Sequence, residues 1–220
     1  MIYTIICDTR KRDFSHLIKE DCRIERQSIP DFPKEISEYI DRAKNSLSRE
    51  ERYAAYSTLL YSLKCLYAVE NPKIMREKDG KPRLVSHDIF FNISHLDGLV
   101  AVSLCDKCDI GIDLQSEISP EREERLGNRF LSGFSPLPCS LEIEYLYLEN
   151  DRFFTLDLPM AKDDKFTEKW TSFESVLKLY GNGFGAASDA ENLAQNAKTD
   201  TRVIEIENTR FYLSNSIKNG

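Results

Sequence analysis

The chain opens on an alternating run of branched residues, "IYTIIC" (Ile2 to Cys7), which predicts a first strand. From Pro30 a polar linker leads to "SLSREERYAAYSTLLYSLKCLYAV", where Tyr53, Tyr56, Leu59, Leu60, Leu63 and Leu66 recur at the spacing of a helix with one buried face. Ser48 is its expected N-cap, with Glu51 completing a capping box. The segment "NPKIMREKDGKPRLVSHD" is broken by Pro72, Gly80 and Pro82 and predicts loop with one short strand. Two strands follow, "LVAVSL" and "DIGIDLQ", joined by a turn at "CDKC". Beyond them the pattern predicts a helix from Pro120 to Leu131, an irregular insertion from Gly133 to Phe166, a strong helix from Thr167 to Tyr180, and a final hairpin, "RVIEIENTRFYLSNSI". The order predicts an α+β fold read as an N-terminal half, residues 1–106, and a C-terminal half, 107–220, that partly repeats its plan.

Composition narrows the class. At 220 residues, 41% hydrophobic and 30% charged, the chain has the balance of an ordinary globular protein. Its net charge of −7 argues against nonspecific nucleic-acid binding, so a phosphorylated ligand would need a local basic cluster. Arg10 to Arg12 and the group Lys78, Lys81 and Arg83 are the candidates, with a solvated loop as the plainer reading of each. The opening ten residues lack the basic start and long apolar middle of a signal peptide, and no segment approaches the ~20 apolar residues of a membrane helix. A cytoplasmic protein with no membrane partner is expected. The scattered cysteines suit a reducing compartment, and the pair Cys105 and Cys108 lacks the second pair that a zinc ribbon needs.

Asp113 is the residue most in need of an explanation, because a carboxylate in an apolar strand is costly unless paired or metal-bound. Alternation along "DIGIDLQ" sends Ile110, Ile112 and Leu114 to one face and Gly111, Asp113 and Gln115 to the other. The bare Gly111 is expected to leave space for a ligand beside Asp113. In the helix ending at Gly181, Trp170, Phe173, Leu177 and Tyr180 form the apolar stripe, with Glu174 and Lys178 one turn apart on its edge. Simpler readings stay open: a surface ion pair for Glu174 and Lys178, worth ~0.2–0.5 kcal/mol, a backbone-bonded Asp113, and a loop-bracing His95.

The order of "GKP", "FNISH", "GIDLQ" and W-x-x-x-E-x-x-x-K, over about Ser48 to Gly185, resembles the 4′-phosphopantetheinyl transferase superfamily in its monomeric class. That resemblance implies two similar α/β halves packed as a pseudo-dimer. It implies Mg²⁺-dependent transfer of the phosphopantetheine arm of coenzyme A to a serine of an acyl or peptidyl carrier protein. Asp113, Glu174 and Gln115 become the implied metal ligands, and Asp113, Glu174, Lys178 and His95 the implied catalytic set. Lys178 is expected to offset charge near the reacting phosphate and to assist proton transfer from the serine. Lys81, Ser94, His95, Thr58 and Lys178 become the implied coenzyme A contacts.

The sequence departs from the family's pattern at Gln115, in place of an acidic residue, and at Phe173 and Ser57, in place of cations. It departs again at Ser135, in place of a glutamate base, for which Glu142 or Glu144 are the substitutes. The short stretch after Gly185 is expected to leave the second half either lacking a strand or dependent on a partner to cover its sheet edge. The insertion, with Phe134, Leu137, Tyr145 and Phe153, is the expected carrier surface. A diverged member that binds coenzyme A or a carrier without turnover is the alternative to the active transferase.

Overall fold

The computed structural model describes residues 1–20, 32–76, 81–131, 134, 137–162, 165–181, 183 and 190–219. The strands are β1 (Ile2–Asp8), β2 (Ile18–Glu20), β3 (Ile74–Arg76), β4 (Pro82–Leu84), β5 (Phe90–Leu96), β6 (Leu99–Cys105), β7 (Ile110–Ser116), β8 (Leu137–Pro138), β9 (Ile143–Glu149), β10 (Arg152–Leu156), β11 (Ala197–Ile206) and β12 (Thr209–Lys218). The α-helices are α1 (Lys34–Asp41), α2 (Ser46–Tyr67), α3 (Pro120–Phe130), α4 (Phe166–Tyr180) and α5 (Ala190–Gln195). The fold is α+β.

The strands form a six-stranded sheet, β2-β10-β9-β1-β6-β5, a four-stranded sheet, β7-β12-β11-β8, and the small pair β3-β4. Period-two alternation divides each central strand between two cores. In β6, Val100, Val102 and Leu104 turn toward α2 and pack with Leu59, Leu60 and Leu63. Leu99 and Ala101 turn the other way and meet Ile112, Leu114, Phe211 and Leu213 of the second sheet. On that sheet's far side α4 packs with Ala194 and with Phe130 of α3. The layers therefore run α2, first sheet, second sheet, α4. Each fully buried leucine in them contributes about 1.5–3 kcal/mol.

Several expectations change. Helix α2 is capped by Asn45, whose side chain accepts from the Ser48 N–H at 2.8 Å, and Glu51 is not part of a capping box. Tyr53, expected in the buried stripe, is 55% exposed and rests edge-on against Phe32. The bend at Cys105 to Cys108 joins β6 to β7 as expected, although the two strands lie in different sheets; the two sulfurs sit 3.7 Å apart. The expected irregular insertion supplies two strands of the first sheet. Strand β9 pairs in parallel with β1, Ile2 opposite Ile143, and β10 pairs antiparallel with β9. Residues beyond the 106/107 boundary thus complete the sheet that begins at residue 2.

The aromatic side chains proposed as a carrier surface are buried. Phe153 is fully buried against Tyr61, Phe134 packs edge-on against Phe173, and the buried Tyr145 donates its hydroxyl to Asp200 at 2.9 Å. The side chain of Leu137 lies outside the described residues. The edge expected to need a partner is covered from within the chain: β8 pairs with Lys198 and Thr199, and Ala161 N–H donates to the Thr201 carbonyl.

Candidate functional site

The edge strand β5 of the first sheet lies against the edge strand β7 of the second, joined by side chains rather than by a ladder. Asn92 Oδ1 accepts from the Ile112 N–H at 3.3 Å, and Ser94 Oγ accepts from the Leu114 N–H at 3.1 Å. This seam presents the outward face of β7 to α4. Gly111 faces the helix, and a Cβ there would lie 2.1 Å from the Ser175 carbonyl oxygen and 2.5 Å from the Leu179 nitrogen. The glycine therefore makes room for α4, not for a ligand as its sequence position suggested. That close approach sets Glu174 and Lys178 over Asp113 and Gln115.

The four side chains form one hydrogen-bonded cluster with Ser94. Lys178 Nζ donates to Asp113 Oδ1 at 2.6 Å and to Ser94 Oγ at 3.0 Å, and the Ser94 hydroxyl donates to Asp113 Oδ1 at 3.2 Å. Gln115 Nε2 donates to Asp113 Oδ2 at 3.2 Å and to Glu174 Oε2 at 2.6 Å, bridging the two carboxylates. Burial, reinforced by the Asp113 charge, pushes the Glu174 carboxyl up to about 7 from its ordinary 4.5. Asp113, only 2% exposed, pairs directly with Lys178, whose charge also lowers the Glu174 pKa but less than burial and Asp113 raise it.

A pocket of about 250 Å³ opens beside the cluster. Among the described residues Tyr39, Arg52, Tyr56, Arg76, His95 and Lys178 line it. Both guanidinium groups lie over the Tyr39 ring at 4.3 Å, and Arg76 Nη2 donates to the Tyr56 hydroxyl at 3.3 Å. His95 Nδ1 bonds Glu51 Oε2 at 2.9 Å. Arg52, Arg76, Lys81 and Lys178 thus bring cations to one pocket of a net negative chain, with Arg52 and Arg76 stacked on Tyr39.

The implied coenzyme A contacts divide. Ser94 and Lys178 belong to the cluster and His95 to the pocket wall. Lys81 reaches the pocket wall, but its Nζ donates to the carbonyls of Leu179 at 2.8 Å and Ile110 at 3.3 Å, tying β4 to the end of α4. Burial lowers its pKa, partly offset by Asp109. Thr58 does not reach the pocket; it is buried under the first sheet beside Cys7. Of the basic clusters, Arg12 pairs with the buried Asp8 at 2.9 Å, Arg10 pairs with Asp97 at 2.6 Å and Arg83 pairs with Asp109. Lys78 lies outside the described residues.

Phe173, where the family has a cation, is fully buried among Trp170, Phe130 and Phe134. Ser135 lies outside the described residues. Its suggested substitutes, Glu142 and Glu144, line a separate depression with Lys19 and Arg202. Sequence reasoning missed Glu51, Arg52, Tyr39 and Arg76. The first was absorbed by the capping pattern, and the rest carried no local signal.

Among the described residues no group of three His, Cys, Asp or Glu side chains can hold a metal ion. Two carboxylates and an amide nevertheless match what Mg²⁺ takes from protein when ligand phosphates and water supply its other oxygens. The Gln115 amide spans the gap between them through its nitrogen, and half a turn of that amide presents the oxygen instead. The residues fit the ion. Among the described residues no helix is long and apolar enough to cross a membrane.

No protein-family model matches the chain, and no curated protein matches it in sequence.

Proposed function

We propose that the protein transfers the 4′-phosphopantetheine arm of coenzyme A to a serine of an acyl or peptidyl carrier protein. The observation that carries this reading is the junction itself: a Lys-paired acidic cluster on β7 and α4 opens directly onto a pocket walled by arginines, a histidine and tyrosines. This arrangement suits a pyrophosphate-bearing nucleotide, with anionic groups held by guanidinium and imidazole and an adenine laid on a ring. Helix on sheet, sheet on sheet and sheet on helix also suit a pseudo-dimer of two halves, with β9 and β10 exchanged into the first.

In the reaction the serine oxygen bonds to the phosphorus that carries the pantetheine arm. The bond from that phosphorus to the adenosine 3′,5′-bisphosphate breaks, its electron pair leaves with the bisphosphate, and the serine proton passes to solvent water. Lys178 faces the reacting phosphate, where its charge offsets the negative charge that builds there. Its pairing with Asp113 at 2.6 Å suits it to that role more than to proton abstraction. His95, Arg52 and Arg76 orient the nucleotide. Bound through Asp113, Glu174 and Gln115, magnesium would supply further positive charge at the pyrophosphate.

One observation favours the second reading, a diverged protein that binds coenzyme A or a carrier without turnover: the Gln115 amide spans the carboxylates where the family has an acid. The test is the intact mass of a panel of apo carrier proteins incubated with the protein, coenzyme A and Mg²⁺, beside a chelated control. A magnesium-dependent gain of one phosphopantetheine arm is expected. Unmodified carriers, from protein that binds coenzyme A in calorimetry, would favour the binder and reject the transferase.

A further inference from the structure

Glu51 is nearly buried, at 6% exposure, on the face of α2 that also buries Ala55, Thr58, Leu59 and Ser62. It is not an idle charge, since both oxygens are used. Oε1 accepts from the Gly98 N–H at 2.8 Å, and Oε2 meets His95 Nδ1 at 2.9 Å. The β5–β6 turn that carries Gly98 is fixed from the other side as well. The Gly98 carbonyl accepts from the Thr9 N–H at 2.9 Å, and Arg12 Nη2 donates to the Asp97 carbonyl at 2.9 Å. The imidazole is therefore held against a rigid frame on its Nδ1 side, while its ring remains in the pocket wall with Arg52 and Lys178.

A carboxylate only accepts hydrogen bonds, so the contact requires a proton on Nδ1. In the neutral ring that choice leaves the lone pair on Nε2; in the charged ring it makes Nε2 a donor. Without Glu51 the ring is free to take either tautomer and to turn its Nδ1 edge toward the pocket.

We propose that Glu51 is a positioning residue that holds a proton on His95 Nδ1 and, through its carboxylate charge, favours the doubly protonated ring whose Nε2–H donates to a phosphate of a ligand in the pocket. The ligand half of this statement rests on the coenzyme A reading above. The Nδ1-proton half does not.

The experiment has two arms. Imidazole ¹⁵N shifts of the full-length protein report the tautomer, and with His16, His87 and His95 as its histidines the signal is assigned by its loss in His95→Gln. Wild type is expected to show a protonated Nδ1, and Glu51→Gln, whose amide can donate to Nδ1, to show a shift toward the Nε2–H form. Calorimetry with coenzyme A on wild type, Glu51→Gln, His95→Gln and the double variant gives a double-mutant cycle. Glu51→Gln is expected to weaken binding roughly 10-fold, the lower end of what removing a partner that orients a histidine costs at metal sites. In the His95→Gln background the same change is expected to do little.

A bare Nδ1 in wild type, an unchanged tautomer in Glu51→Gln, or equal loss of affinity in both backgrounds overturns the positioning role. Failure of wild type to bind coenzyme A overturns the ligand half together with the transferase reading, and the ¹⁵N arm still decides the Nδ1-proton half.

Discussion

Gly111→Ala is expected to destabilise the protein by about 3 kcal/mol or more, beyond the usual overpacking cost, and to lower transfer more than any surface change. The reason is what the new methyl group meets. Its nearest neighbours are the Ser175 carbonyl oxygen at 2.1 Å and the Leu179 nitrogen at 2.5 Å, both backbone atoms of α4 that cannot swing aside as a side chain would. Relief requires the helix to lift off β7. Helix α4 is also held there by hydroxyls, with Ser175 Oγ 2.6 Å from Ser216 Oγ and Ser172 Oγ 3.0 Å from Thr201 Oγ1, so the shift breaks buried polar contacts as well. It carries Glu174 and Lys178 away from Asp113, which leaves a buried carboxylate without its cation. Urea unfolding checks the stability and intact-mass kinetics check the transfer. A loss below about 1 kcal/mol would mean that α4 does not lie on β7 as closely as described.

Gly111 also shows how far the sequence could be read. Its place on the same strand face as Asp113 followed from alternation, and Glu174 and Lys178 followed from helical spacing; these local rules survive in the fold. Whether a bare position faces a ligand or another backbone depends on what packs opposite, and strand pattern does not contain that. Glu51 met the capping pattern by spacing alone, and only the return of the chain at His95 and Gly98 gives it a different use. The same limit explains the insertion. "IEYLYLE" alternates as a strand should, yet its pairing with β1 joins Ile2 to Ile143 across most of the chain, and no local pattern specifies so distant a partner. Its aromatic residues, read as a docking surface, are therefore core. Arg52, Arg76 and Tyr39 come from three separate elements and meet only in the pocket.

Glu174→Gln is expected to abolish transfer and, independently, to remove a pH dependence from the stability of the metal-free protein. The carboxyl titrates near 4.5 when solvated and at about 7 in the fold, raised by burial first and by the Asp113 charge second. Between those values the folded state keeps a proton that the unfolded chain has lost, so stability is fully present below pH 4.5 and declines as pH rises toward 7. The decline should amount to about 1–3 kcal/mol, because the two carboxylates share their charge with Lys178 and Gln115. A glutamine holds no such proton. The variant should therefore show a flatter curve through this window and exceed the wild type at pH 8 in thermal unfolding. Mg²⁺ with coenzyme A should stabilise the wild type more than the variant at that pH, since Asp113 and Glu174 would hold the cation and lose the repulsion that protonation also relieves. Parallel curves for the two proteins would show that Glu174 is solvated rather than held against Asp113. A variant that still transfers at the wild-type rate would remove Glu174 from the reaction, whatever its effect on stability.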